Sequence, residues 1–371
     1  MGAPTDVYVD PSIDADSGTG TSGDPYGDFQ YALDTHSRDT TNGNRFNIKA
    51  GTDEVLTATL DFSTFGWTEW NAPMIIAGYT STVGHGGIRS IHCVGNSRIN
   101  QSSHDGLLLE NMKFHNAGAY CVRSDDYTVA VGCEFSGAST ANLVLSSGGV
   151  VIGSHFHDGS GVGVQLNGFS HVFGNYFKNG STNKFSVAID CVPNSPRYSV
   201  IERNIVSVDS TTIGIDLDDF FCNVINNSLY STGTGDGINV TGHSEYRILN
   251  NLVEGFNVGI EVKPGGSAED SQIIMHNALY DNTTNYDHGG VFITGDNETL
   301  TASPFDKSGS DTFANRATYF GPVDTGNVRA GAFPTALRLD KGAVQHADGV
   351  NGGSTSVFFP GSSGQIGVRE S

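Results

Sequence analysis

Forty acidic residues against nineteen basic ones leave this chain of 371 residues with a formal charge of −21. Such a surface repels phosphate backbones and anionic lipid, which argues against nucleic acid or a membrane as partner. No run of about 18 apolar residues occurs, so no membrane-spanning helix is expected.

The opening Met-Gly-Ala-Pro-Thr-Asp has neither a basic start nor an apolar stretch, so no secretory signal is expected. A short strand is expected over residues 6–11, then a polar, Gly-rich loop over 17–27. Residues 28–34 read as the one convincing helix, with Phe29, Ala32 and Leu33 on one face. Strands at a looser period follow over 46–48, 55–57 and 74–79, the last running into the glycine-rich stretch 78–87.

From residue 111 the chain repeats. Four-residue cores ending on an apolar side chain recur as Asn111-Met-Lys-Phe114, Gly132-Cys-Glu-Phe135, Gly153-Ser-His-Phe156, Gly174-Asn-Tyr-Phe177, Arg203-Asn-Ile-Val206, Asn226-Asn-Ser-Leu229, Asn250-Asn-Leu-Val253 and His276-Asn-Ala-Leu279. Their spacings of 21, 21, 21, 29, 23, 24 and 26 residues are those of a solenoid with one coil per repeat. Each coil carries a second, alternating strand: 164–166, 189–191, 215–217, 238–240 and 260–262. Alternation buries one face and wets the other. Strands so close in sequence leave no room for a helix, so the coils should stack as parallel sheets about 4.8 Å apart per rung.

The second core position reads Asn175, Asn204, Asn227, Asn251 and Asn277 in five successive coils. Asn tolerates the left-handed conformation of a tight turn, and its amide can bond the next Asn up the stack. This pattern resembles the asparagine ladder of right-handed, pectate-lyase-like β-helices. The resemblance implies an all-β, right-handed parallel β-helix over 46–290, preceded by a strand and capping helix over 1–45. Fold alone does not imply chemistry.

Beyond residue 281 the repeat fades. The stretches 298–305, 331–334 and 339–345 resemble the closing segment of β-helix proteins of tailed bacteriophages. They imply a C-terminal cap over 291–346, leaving a Gly/Ser-rich tail, 347–371, that suits assembly with neighbouring subunits. The five cysteines (Cys93, Cys121, Cys133, Cys191 and Cys222) are odd in number and lack Cys-x-x-Cys spacing. They read as buried thiols, in keeping with a protein made in a cytosol.

Chemistry has one obvious place. The strand 215–217 corresponds to the sheet that forms the substrate groove in related lyases and hydrolases. Its outward column is expected to run Cys121, Val144, Gln165, Asp190, Asp216, Asn239, Glu261, and the next column Arg123, Ser146, Asn167, Val192, Asp218, Thr241, Lys263. Asp190 and Asp216 would stand one rung apart, near the carboxylate separation of retaining glycosidases and close enough to raise one pKa. The catalytic candidates are therefore Asp190, Asp216, Asp218, Glu261 and Lys263. Asp190, Asp216 and Asp218 could instead hold Ca²⁺, a hard cation taking oxygen ligands, or be a solvated acidic face. Lys263 and Arg123 could serve as base or charge neutraliser. His115, His155 and His157 on adjacent coils read as surface histidines, with no third metal ligand fixed by spacing.

The enzyme motifs of the resembled families are not met: Asp218-Asp219 is present, but Gly84-His85-Gly86 precedes it and no Arg-x-Lys follows. The reading is a virion-associated structural or receptor-binding protein of a bacteriophage, made in the host cytoplasm. It would self-associate as a homotrimer and contact other virion proteins and host surface polysaccharide. The alternative is an extracellular polysaccharide lyase or glycoside hydrolase. No cofactor other than Ca²⁺ is implied.

Overall fold

The computed structural model describes residues 2–307, apart from 14–15, 52–53, 57–58, 63–71, 81–88, 94–98, 102–105, 117, 125, 193–197, 219–220, 242–244, 264–272, 289–292, 296 and 306. The chain is all-β, a right-handed parallel β-helix, and Phe29–Thr35 is the one helix among the described residues. Its described residues fall into two units, 2–154 and 155–307. Asp219, residues 84–86 and the stretches 331–334, 339–345 and 347–371 lie outside the described residues.

The first unit is a three-sided coil. Thr5–Val9, Asn44–Lys49, Met74–Tyr79, Leu107–Glu110, Thr128–Val131 and Gly149–Ile152 follow one another as side A. Leu60–Asp61, Ile99–Gln101, Tyr120–Ser124 and Ala141–Leu145 form side B, and Glu54–Leu56, Arg89–Cys93, Met112–Asn116 and Glu134–Ser136 form side C. The helix starts where Asp28 accepts the Tyr31 backbone N–H at 2.6 Å, an N-cap that satisfies one otherwise orphaned donor. It buries Phe29, Ala32 and Leu33, and the Phe29 ring meets Phe46 edge-on at 5.4 Å.

The second unit has the same three sides. Side A runs through Ser170–Phe173, Tyr198–Glu202, Phe221–Ile225, Glu245–Leu249, Ile273–Met275 and Ile293–Gly295. Side B runs through Val162–Leu166, Val187–Cys191, Ile213–Leu217, Ile238–Val240, Val258–Val262 and Thr284–His288. Side C runs through His155–His157, Tyr176–Lys178, Ile205–Val208, Ser228–Ser231, Leu252–Glu254, Ala278–Tyr280 and Glu298–Thr299.

Stacking follows the sequence columns. In the first unit Phe114 lies over Phe135 at 5.2 Å. In the second, Phe156 lies over Phe177 at 4.7 Å, and the register continues through Val206, Leu229, Val253 and Leu279. All are buried, and each such side chain contributes about 1.5–3 kcal/mol.

The tight turn into each core is left-handed at the first core residue: Asn111, Gly132, Gly153, Gly174, Arg203, Asn226, Asn250 and His276 all have φ between 53° and 65°. This corrects the expectation that the second-position Asn takes that conformation. Gly and Asn tolerate it best, which is why they fill six of these eight turns.

The second-position asparagines are buried and bonded to one another. Asn204 Oδ1 accepts the Asn175 N–H and Nδ2, each at 3.0 Å, and the pattern repeats from Asn204 to Asn227, Asn251 and Asn277. Asn297 adds a further rung, accepting from Asn277 at 3.0 Å. The sequence hid it because Asn297-Glu-Thr299 ends on a polar residue where the other cores end on an apolar one.

The described part of the closing segment packs along side C of the second unit. Leu300 and Phe305 lie against Tyr176, Ile205, Leu252 and Ala278. Outward positions of a solenoid are normally wet, yet these are buried beneath the returning chain. Ser303 donates to buried Glu254 at 2.7 Å, Lys307 pairs with the same carboxylate, and its ammonium sits 4.5 Å over the Tyr230 ring. Cys121, Cys133, Cys191 and Cys222 are buried and form no disulfide, while the side chain of Cys93 lies outside the described residues.

Candidate functional site

The outward face of side B in the second unit holds the acidic residues. Four of the side B strands carry a glycine in or directly before them, at Gly163, Gly214, Gly237 and Gly259: a Cβ at Gly214 would come to 2.5 Å from the Gly237 carbonyl oxygen, and one at Gly237 to 2.5 Å from that of Gly259. With that close approach allowed, the register is unbroken. Gln165 pairs with Asp190, Asp190 with Asp216, Asp216 with Asn239, Asn239 with Glu261 and Glu261 with Asp287. Sequence reading stopped one rung short of Asp287, because Asn285-Tyr-Asp287 lacks the aliphatic pair that marks the other strands.

The second outward column is carried by backbone bonds just past those strands. Val192 N–H donates to Leu166, Asp218 to Cys191, Thr241 to Leu217 and Lys263 to Val240. Asp218 is therefore set beside the Asp190–Asp216 pair. Alternation dictates this: residues two apart on a strand share a face.

Crowding shapes the chemistry. Burial, with the charges of Asp216 and Asp218 added, pushes the Asp190 carboxyl up to about 6. Burial also raises Asp216, against the opposing bond from Asn239 Nδ2 to its Oδ1 at 2.9 Å. Asn239 and Glu261 point outward yet are only 6% and 7% exposed. The Asn239 Oδ1 accepts no hydrogen bond from the described residues. Glu261 pairs with Lys263 at 2.9 Å, which holds that ammonium above its ordinary pKa. A lysine so held is a poor base and a good local counter-charge.

Two expected positions move. In the first unit Arg123 pairs with Val144, and Val122 with Leu143. Arg123 thus takes the place in the first column that was expected for Cys121. Cys121 is buried, its thiol donating to the Ser136 carbonyl at 3.2 Å. The turn after Phe114 matches the turn after Phe135 in length, so the 21-residue period from 123 to 144 was the signal. The histidines are engaged locally. His115 Nδ1 meets Ser136 Oγ at 2.9 Å, His157 Nδ1 meets Asp158 at 2.6 Å, and His155 stacks on Tyr176 at 5.2 Å.

Sequence reading also missed an aromatic row. Tyr198 pairs with Phe221 at the start of two side A strands, and their rings stack at 4.7 Å. The register His171–Val200 puts Phe169 next to Tyr198. Phe169 follows Asn167 by two residues and Phe221 follows Asp218 by three.

Residues 89–268 match the family model described as the right handed beta helix region. The crystal structure of pectate lyase Pel9A has a similar fold, with a TM-score of 0.56 and 13% identity, over 93% of this chain and 97% of that one. A GH136 lacto-N-biosidase from Eubacterium ramulus is similar with a TM-score of 0.51 and 12% identity, over 79% of this chain and 67% of that one. ORF18 of Geobacillus virus E2 aligns more loosely, with a TM-score of 0.37 and 11% identity over 81% of this chain and 62% of that one, too loose to bear on function. No curated protein matches the sequence.

Proposed function

We propose that this chain is a glycan-binding β-helix of a bacteriophage particle, contacting host surface polysaccharide along side B of its second unit. The observation that carries the glycan reading is the unbroken column from Gln165 through Asp190, Asp216, Asn239 and Glu261 to Asp287. It offers sugar hydroxyls a line of acceptors and amides at one rung spacing, about 4.8 Å. The particle reading is supported by the resemblance of the closing stretches to those of phage β-helix proteins and by thiols left reduced. Homotrimeric self-association, contact with other virion proteins and a virion location belong to the same proposal. So does a Ca²⁺ bound by Asp190, Asp216 and Asp218, whose oxygens are the hard donors that ion takes.

A second reading, cleavage of the bound polysaccharide, is favoured by Asp190. A carboxyl titrating at about 6 can carry a proton near neutral pH and deliver it to a leaving oxygen. Asp216, beside it and hydrogen-bonded by Asn239, is then the partner carboxylate. Hydrolysis suits this pair better than elimination, since Lys263 is held protonated by Glu261.

The test is to incubate the full chain with capsular or outer polysaccharide from candidate hosts. Retention is measured by affinity electrophoresis and cleavage by new reducing ends. The proposal expects retention that Asp216→Asn weakens, and presence of the chain in purified particles at a multiple of three copies. Release of reducing ends, lost in Asp190→Asn while retention persists, would establish the hydrolase reading. Absence from particles, with no retention on any polysaccharide, would overturn both.

A further inference from the structure

The outer face of side A in the second unit is apolar where a solenoid is normally wet. Phe173 pairs with Glu202, Glu202 with Ile225, Ile225 with Leu249 and Leu249 with Met275, so this outward column is apolar at all but one position. Val200 and Ile273 stand in the column beside it, and Tyr198 stacks on Phe221 at the strand starts. Phe173, Val200, Ile225, Leu249, Ile273 and Met275 are all partly exposed. In the first unit, taken by itself, Leu108, Val129 and Val150 form a like outward column on side A. A parallel sheet is normally covered on both faces, and a contiguous apolar face marks a contact surface.

Charge and coverage narrow the occupant. The side A strands of the second unit carry Glu202 and Glu245 against Arg247, a balance of −1. Those of side B carry Asp190, Asp216, Glu261 and Asp287 with no Lys or Arg, a balance of −4. A Ca²⁺ on side B would lower that charge but add no apolar surface, since its column from Gln165 to Asp287 is polar throughout. Side C already lies under Leu300 and Phe305 of the same chain. Copies of a chain carrying −21 repel one another, and they meet most readily where each is nearly neutral and apolar.

We infer that further copies of this chain pack on side A of the second unit, three such faces closing around one axis. This rests on the self-association proposed above, not on the glycan reading, and gives it a face. Packed sheets stand about 10 Å apart, so each sheet would lie about 5 Å from the shared axis. A triangle drawn around a circle of that radius has sides of about 17 Å, and a strand of five residues spans about 17 Å. Tyr198–Glu202, Phe221–Ile225 and Glu245–Leu249 are five residues each. Three such sheets therefore fill the space between them with side chains, and the column from Phe173 to Met275 leaves water.

Sedimentation velocity of the full chain over a range of concentrations, at low and at high NaCl, tests the face. A trimer is expected, and a tighter one in high salt, where charge repulsion reaches only about 3 Å near 1 M and apolar contact persists. Ile225→Asp and Leu249→Asp should each raise the dissociation midpoint about tenfold or more. Asn223→Cys leaves the apolar column intact, so it reads the same face even if the aspartates unfold the coil. A short bismaleimide should join Asn223→Cys to a second copy, while Gln165→Cys on side B stays single. A trimer indifferent to both aspartates, or one joined through Gln165→Cys and not through Asn223→Cys, would overturn this inference and leave self-association standing. A trimer that falls apart in high salt would overturn it too, since ion pairs would then hold the copies together. A monomer at every concentration and both salts would overturn self-association as well.

Discussion

Asn227 Nδ2 donates to Asn251 Oδ1 at 3.0 Å and to the Ile201 carbonyl at 2.9 Å, while its own Oδ1 accepts the Asn204 backbone N–H. Every polar atom of this buried amide is therefore used, and each rung completes the one before it. Asn227→Leu would strand the Asn204 N–H, leave Asn204 Nδ2 with only its bond to the Val172 carbonyl, and take one donor from the Ile201 carbonyl. Buried groups left unmade cost about 1–3 kcal/mol each, so the variant should lose on the order of 3 kcal/mol or more. Thermal denaturation checks this, and an unchanged midpoint would mean the ladder is a bystander.

Asp190 makes stability depend on pH in a definite direction. Its carboxyl titrates at about 6 in the folded chain and at about 3.9 when unfolded. Between those values the folded state binds the extra proton, so stability falls as pH rises through the window. Asp190→Asn removes the penalty. The midpoint of the variant relative to the parent should climb between pH 4 and pH 7, by an amount corresponding to about 2 kcal/mol. A difference that is flat with pH would show that the crowding is relieved in solution.

Glu254 is buried on side C with Ser303 and Lys307 of the returning segment as its partners. Removing one member of a buried pair leaves an uncompensated charge and costs about 3–5 kcal/mol. Lys307→Ala should therefore destabilise the second unit, whereas Lys307→Ala combined with Glu254→Leu should recover most of the loss. Hydrogen exchange of the Leu252–Glu254 amides reads both, and a double variant no better than the single one would count against the ion pair.

Burial pushes the Cys133 thiol up to about 12, and Cys121, Cys191 and Cys222 are buried as well. Thiolate is the reactive form, so none of these four should react with a thiol reagent at pH 8 until the chain unfolds. Titration of native protein should consequently count at most one thiol, Cys93. Two or more fast-reacting thiols would show that the coils open locally.

The coil, its inward columns and the asparagine ladder were legible in the sequence for one physical reason. A parallel solenoid places like positions of successive coils one rung apart, so what packs at Phe135 must also pack at Phe114, and an amide at Asn204 needs another at Asn227. That demand repeats along the chain and shows as a period. The same demand puts Asp190 beside Asp216.

What the tertiary structure alone decided lies where no repeat constrains the chain. Turn lengths vary, so the register that pairs Arg123 with Val144 and buries Cys121 is settled by backbone bonding across the rung. The left-handed residue sits one position earlier than composition suggests, because the ladder claims the Asn that follows it. Outward residues have no neighbour they must match. For that reason the row of Phe169, Tyr198 and Phe221, and the return of Phe305 and Lys307 over side C, became visible only when distant segments were folded against one another. The acidity of Asp190 belongs to the same class: a carboxyl reaches about 6 through what surrounds it, and the sequence names the neighbours without saying how closely burial holds them.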